Sequence, residues 1–367
     1  MQVRSIITHS LRMTGLALLS MGLVSLGHMA PAGAQDVKIG LVAPLSGTFA
    51  LLGEQFANGA RVAVKDDGIA LEEVDDSCTA EGGEQAASKL LEAEVTVVVG
   101  FLCTPSLEAA LPLLTERGIP VLTPVRTPNI TDTKNRTGWL VWRIAPRLDD
   151  EANAVARLLV RAWRDKHFAI IDDGTIYGRE LAEHLRAEAE LAGLKPVLFD
   201  TFRPGLDNQI GLVGRLRRSG ATHVFVGGDR SDIAIIARDA RKLGYDVVLA
   251  GGEALRAADD AVRLSKGVLM IAPPLWEELA SPDLLDKFRQ EGIIPEGYTL
   301  LGHAAVDIAA GAARAAAADG TSITDQLQGF SFDTAVGVIR FNDKGDLANS
   351  LYRLYAYDGM HFMEEKD

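Results

Sequence analysis

Short runs rich in β-branched residues alternate with longer stretches of helical period along nearly the whole chain. Residues 37–42 read as a strand and 54–67 as a helix. The continuous apolar run at 95–99 suits a parallel strand covered on both faces. A helix over 107–117 and a strand over 119–122 follow. The alternation resumes with strands at 168–171, 196–201, 223–226 and 247–250. Between and after them, helical periodicity covers 179–192, 209–219 and 232–243. Strands separated by helices of 10–15 residues imply βαβ units and parallel sheets with helices on both faces. The two series break near residues 147–150, which predicts two doubly wound α/β lobes of similar build.

The end of the chain departs from that pattern. Residues 300–318 read as one long Ala-rich helix, while 332–341 and 351–357 read as strands around a turn at Asn342-Asp343-Lys344-Gly345-Asp346. One helix and two strands are too few for a third domain, so they are expected to return and complete the two earlier sheets. The division that follows is 36–147 with 272–347 for the first lobe, and 148–271 with 348–367 for the second. Crossings near 147–150, 271–274 and 347–350 would then form a hinge. Ligands of open α/β sheets bind outside the carboxyl ends of the strands, so both lobes would aim their strand-end loops into one cleft.

Composition narrows the setting. Arg4 and Arg12 precede the short apolar stretch 15–26, and Ala32-Gly33-Ala34 has the form of a cleavage site, so 1–34 reads as a secretory signal peptide. The chain has 37 basic and 50 acidic residues. Without the two signal arginines the balance is 35 − 50 = −15. A mixed, acidic surface argues against nucleic acid and anionic membrane as partners. The only two cysteines, Cys78 and Cys103, would lie in an oxidising compartment, which makes a disulfide between them the expectation.

Enzyme templates are poorly filled. The chain has no G-x-S-x-G elbow, no G-x-x-x-x-G-K-[ST] loop and no H-E-x-x-H pair. The histidines show no metal-ligand spacing, and no metal or cofactor is expected. The adjacent carboxylates Asp75-Asp76 and Asp172-Asp173 read as strand-end turns. A catalytic Cys103 would need a histidine that the sequence does not place beside it.

The strand-end loops hold what chemistry there is. Pro44-Leu45-Ser46-Gly47, Cys103-Thr104-Pro105-Ser106 and Thr123-Pro124-Val125-Arg126-Thr127 bring hydroxyls and backbone N–H groups in the first half. Thr104 or Ser106 is placed to cap a helix, and a helix start with a hydroxyl also suits a carboxylate. The second half brings Asp173-Gly174-Thr175-Ile176-Tyr177-Gly178, Gly227-Gly228-Asp229 and Gly251-Gly252-Glu253. One lobe therefore offers groups for an anion, and the other offers carboxylates. Arg256, just beyond Glu253, is the competing partner for that carboxylate.

With these motifs in this order, residues 36–367 resemble the type I periplasmic binding proteins, in the leucine/isoleucine/valine-binding branch that serves ABC importers. The landmarks are Val37-Lys38-Ile39-Gly40 with Ser46-Gly47, Gly100 to Thr104 with the upstream Cys78, Leu122 to Thr127, Tyr177-Gly178, Gly251-Gly252-Glu253, and Phe341 to Asp346. The resemblance implies that Thr104 and Thr127 hydrogen-bond the ligand and that the backbone at Leu102 and Val125 joins them. It gives Glu253 the α-ammonium and has Tyr177 close over the ligand from the second lobe. Ser46 and Asp229 complete the candidate ligand set. Leu52 and Asp229 stand where the branch usually carries aromatics, and Arg126 adds a cation. An amino acid with a polar side chain, an amide or a small carboxylate thus joins leucine as a candidate. The expected function is non-enzymatic capture of a small amino acid-like solute in the periplasm by a monomer, with delivery to ABC permease subunits in the inner membrane. The rivals are a sensory receptor for amides or small carboxylates, and a cleft hydrolase, which would need a nucleophile with a base in reach.

Overall fold

The computed structural model describes residues 37–67 and 69–365; the expected signal peptide lies outside the described residues. The elements of the first series are β1 (Lys38–Ala43), α1 (Ala50–Asp67), β2 (Ala70–Asp75), α2 (Ala80–Glu92), β3 (Val97–Gly100), α3 (Thr104–Glu116), β4 (Val121–Thr123), two short helical turns α4 (Asn129–Asp132) and α5 (Lys134–Thr137), and β5 (Val141–Arg143). Their strands form one sheet in the order β2-β1-β3-β4-β5, with every neighbouring pair parallel. All five carboxyl ends therefore lie on one edge.

The second series runs α6 (Asp150–Ala162), β6 (Phe168–Asp172), α7 (Ile176–Leu191), β7 (Leu198–Thr201), α8 (Ile210–Ser219), β8 (His223–Gly227), α9 (Arg230–Lys242), β9 (Val248–Gly251), a 3-10 turn at Glu253–Arg256, and β10 (Leu269–Ala272). The chain continues through α10 (Trp276–Leu279), α11 (Pro282–Gln290), α12 (Thr299–Asp319), α13 (Ile323–Gly329), β11 (Ser331–Thr334), β12 (Gly337–Arg340), β13 (Arg353–Tyr357) and β14 (Phe362–Glu364). The second sheet has the order β14-β13-β10-β9-β8-β6-β7. It is parallel from β7 to β10, and β13 and β14 pair antiparallel at its edge.

Side-chain alternation explains the layers. Val97 and Val99 enter the core shared with α1 and α12, while Val98 between them enters the core under α2 and α3. In the second sheet Ile171 and Val226 face α8 and α9, and Ile170 and Phe225 face α6 and α7. A strand buried on both faces leaves no polar position, which is why these runs read as continuous. Helix α12 crosses α1 at close range through glycines: a Cβ on Gly59 would fall 1.8 Å from the Thr299 carbonyl oxygen, and one on Gly302 2.0 Å from that of Phe56.

The tail is built differently from expectation. Residues 332–341 are not one strand: β11 and β12 form a separate antiparallel hairpin turning at Ala335-Val336, and Phe332 and Ile339 pack into the first core. Only β13 and β14 return to complete a sheet, the second one. Strands β2, β5 and β10 and helices α2 and α6 had no expected counterpart. β2 (ALEEVD) is a half-buried edge strand, whose acidic pattern hides it.

Candidate functional site

On the first sheet's carboxyl edge, the loops are tied to one another before any ligand is considered. The Asp75 carboxylate accepts hydrogen bonds from the backbone N–H groups of Leu45 (3.0 Å) and Ser77 (2.8 Å), so the loop after β1 is fixed to the loop after β2. Exposed Ser46 contributes a hydroxyl contact to Ser77 at 3.2 Å. Ser77 and Cys78 both adopt left-handed backbone, φ 47° and 61°, an unusual state for non-glycine residues. Cys78 is bonded to Cys103, with Cα atoms 5.3 Å apart. Cys103 is the N-cap residue of α3 and makes no side-chain cap. The capping role expected of Thr104 or Ser106 is thus not taken: Ser106 donates to the buried Asp76 at 2.5 Å, and the Thr104 hydroxyl meets that of Thr127 at 2.7 Å. Leu102 is half-buried beside them.

The loop after β4 is held from beneath. Arg143, at the end of β5, is fully buried; its Nε donates to Asp346 at 2.8 Å, its Nη2 to the Thr127 carbonyl at 2.9 Å, and its Nη1 to the Val125 carbonyl. The Val125 N–H goes to the Thr123 hydroxyl at 3.1 Å. Both backbone polar groups of Val125 are therefore engaged within the protein. Arg126, between these anchored residues, projects away and meets the other half of the chain.

There, Glu253 opens the 3-10 turn after β9. Its Oε1 accepts from Arg126 Nη1 at 3.3 Å and its Oε2 from the Tyr352 hydroxyl at 3.1 Å. Arg126 Nη2 also donates to Tyr352 at 3.0 Å and its Nε to the Pro146 carbonyl at 3.1 Å. Arg256 does not pair with Glu253; it bonds the Pro273 carbonyl and lies over the Tyr355 ring. Glu151 completes the cluster: its Oε1 accepts from the Tyr177 hydroxyl (2.7 Å) and from the Glu253 backbone N–H (2.6 Å). Gly252 permits this approach, since a Cβ there would lie 2.2 Å from that carboxylate oxygen. Asp229 stands apart, exposed, as the N-cap of α9 accepting from the Asp232 N–H at 2.9 Å.

Beside Arg126 is a cavity of about 320 Å³. Pro124, Pro146, Pro273, Trp276, Tyr298 and Leu301 give it apolar walls, and Arg126, Arg256 and Glu277 add charge. The structure thus brings Thr104 and Thr127 together, and joins Glu253 and Tyr177 through Glu151. Sequence reasoning missed Glu151, Tyr352 and the cavity wall. They come from elements separated by hundreds of residues and sit in no recognisable motif.

Burial, reinforced by repulsion from Glu253, pushes the Glu151 carboxyl up to about 7, against the hydrogen bonds from Tyr177 and the Glu253 N–H. The unfolded chain would release this proton near 4.5, so between those values the folded state holds more protons and stability falls as pH rises. The loss should approach about 3 kcal/mol. Urea titrations from pH 4.5 to 8 on wild type and Glu151→Gln should diverge by that amount; parallel curves would show that Glu151 ionises normally.

A periplasmic binding protein family model matches residues 36–360. A leucine-, isoleucine-, valine-, threonine- and alanine-binding protein of Pseudomonas aeruginosa is 28% identical, with 88% of this chain and 90% of that protein covered. Leu/Ile/Val-binding protein homolog 3 of Brucella melitensis is 27% identical, with 90% of this chain and 93% of that protein covered. Among solved structures, an ABC transporter substrate-binding protein from Desulfitobacterium hafniense in complex with Leu aligns with a TM-score of 0.62 at 21% identity, covering 90% of this chain and 99% of that one. With two α/β sheets whose carboxyl-edge loops meet at Arg126 and Glu253, and a family match over nearly its whole length, the chain belongs to the periplasmic binding proteins, substrate-binding components of transporters rather than enzymes.

Proposed function

We propose that the chain captures a small amino acid-like solute between two lobes, closes on it by hinge bending, and presents the closed form to ABC permease subunits in the inner membrane. The lobes are 36–147 with 272–347, and 148–271 with 348–367, joined near 147–150, 271–274 and 347–350. The observation that carries this reading is the contact of Arg126 with Glu253 and Tyr352. It links a loop of the first sheet to the turn after β9 and to the chain entering β13, beside a cavity large enough for a small ligand. The relatives' names put leucine, isoleucine, valine, threonine and alanine among the solutes to test. Thr104, Thr127, Leu102 and Ser46 would face the solute from the first lobe, and Tyr177 and Glu253 from the second, although none of the six lines that cavity. Export through a cleavable signal peptide and a monomeric state complete the proposal.

Closure of a two-lobed protein around a ligand is a rigid-body motion. A ligand that raises thermal stability should therefore lower the radius of gyration in small-angle scattering and leave far-UV circular dichroism unchanged. An unchanged radius would refute hinge closure.

A further inference from the structure

We infer that the solute is read through its carboxylate by Arg126, and that Glu253 serves as the counter-ion fixing Arg126 rather than as a receptor for a ligand ammonium. The inference rests on the solute-capturing role proposed above and names the class of solute. Glu253 has its two carboxylate oxygens engaged, one by Arg126 and one by Tyr352, and its backbone N–H is given to Glu151. An incoming ammonium would either sit against a guanidinium or pull Arg126 from Glu253. The second course would also disturb the bonds of Arg126 to Tyr352 and Pro146.

A carboxylate meets no such obstacle. A guanidinium has five N–H donors, and the three bonds of Arg126 use one on each nitrogen. One N–H therefore remains on each terminal nitrogen, and either can donate a charge-assisted hydrogen bond to a ligand carboxylate oxygen. Arg126 also lines the cavity of about 320 Å³, whose proline, Trp276 and Leu301 walls suit an apolar body. Arg256 in the same wall is turned to the Pro273 carbonyl and the Tyr355 ring. The class that fits is a monocarboxylic acid with an apolar body, 2-oxo or unsubstituted at the carbon where an amino acid carries its amine.

Titration calorimetry on the wild-type protein with matched compounds tests this. One set is leucine, 4-methyl-2-oxopentanoate and 4-methylpentanoate; another is phenylalanine with 3-phenylpropanoate; 3-methylbutylamine lacks the carboxylate. In at least one set an amine-free acid should bind, and at least as tightly as its amino acid, while the amine should not bind. Amino acids binding more tightly than their amine-free partners would overturn the inference, whether Glu253 or Glu277 held the ammonium, and would leave the solute-capturing role standing. Binding by none of the compounds would overturn both. Arg126→Met should weaken the bound acid at least 100-fold, with Arg126→Gln as a second variant that keeps hydrogen-bonding capacity. Acid affinity unchanged in either correctly folded variant would also overturn the inference.

Discussion

Replacing Arg143 by methionine should lower the unfolding free energy by about 3–5 kcal/mol, the range for breaking a buried ion pair from one side. Arg143 is inaccessible to solvent and its main partner, Asp346, is only 3% exposed. Asp346 would keep Thr131 (2.9 Å) and Arg147 (3.1 Å), which favours the lower end of that range. The same substitution removes the donors to the Val125 and Thr127 carbonyls. The loop that carries Arg126 then loses its support from beneath, and ligand affinity should fall at least tenfold. A second variant separates the two effects. Arg143→Met with Asp346→Leu removes both charges, and a buried pair replaced by apolar groups is often neutral. Guanidinium melts should show most of the stability restored, while calorimetry shows affinity still reduced. If the double variant is no more stable than the single one, the ion pair is not what Arg143 contributes.

This dependence on Arg143 also shows what the sequence exposes and what it hides. The alternation of apolar runs and helical stretches locates β1, β3, β6, β8 and β9, because a strand buried on both faces must be apolar throughout. It passes over β2, half-buried and acidic, and β5, only three residues long; β10 is as apolar and as long as β3, but its end falls in the crossing expected at 271–274. The hairpin of β11 and β12 looked like one strand because its turn, Ala335-Val336, is apolar and packs into the core. That core contact removed the usual polar signal of a turn.

The candidate site divides along similar lines. Strand-end glycines and hydroxyls mark Thr104, Thr127, Tyr177 and Glu253, since such loops must bring backbone close to whatever fills the cleft. Their partners are invisible to local reading. Arg256 is three residues from Glu253, yet its partner is Arg126, 127 positions away. Tyr352, 99 positions from Glu253, is brought in only by the late return of the chain to the second sheet. Local spacing predicts contacts within a turn of helix. It says nothing about which loops a pair of parallel sheets will place opposite one another.

Replacing Cys78 and Cys103 together by serine should destabilise the protein by roughly 3.5 kcal/mol in the chain-entropy account of a closed loop of about 26 residues. For a chain of this size the thermal midpoint should drop by about 5–7 °C. The effect should also reach the site. Cys103 immediately precedes Thr104, and Cys78 belongs to the segment that holds Ser46 through Ser77. The left-handed backbone at Ser77 and Cys78 is kept in place by Asp75 and Asp76, which accept their N–H groups at 2.8 and 3.1 Å. Those turns remain when the sulfurs go, and so does the Ser106–Asp76 bond at 2.5 Å. The loop should therefore loosen rather than collapse, and affinity should fall by less than tenfold while stability falls strongly. Thiol titration of the unfolded, unreduced protein should find no free thiol, and differential scanning calorimetry of the double serine variant measures the loss. A midpoint within 1 °C of wild type would mean that Asp75, Asp76 and Ser106 alone set the loop, and that the disulfide adds nothing to the fold.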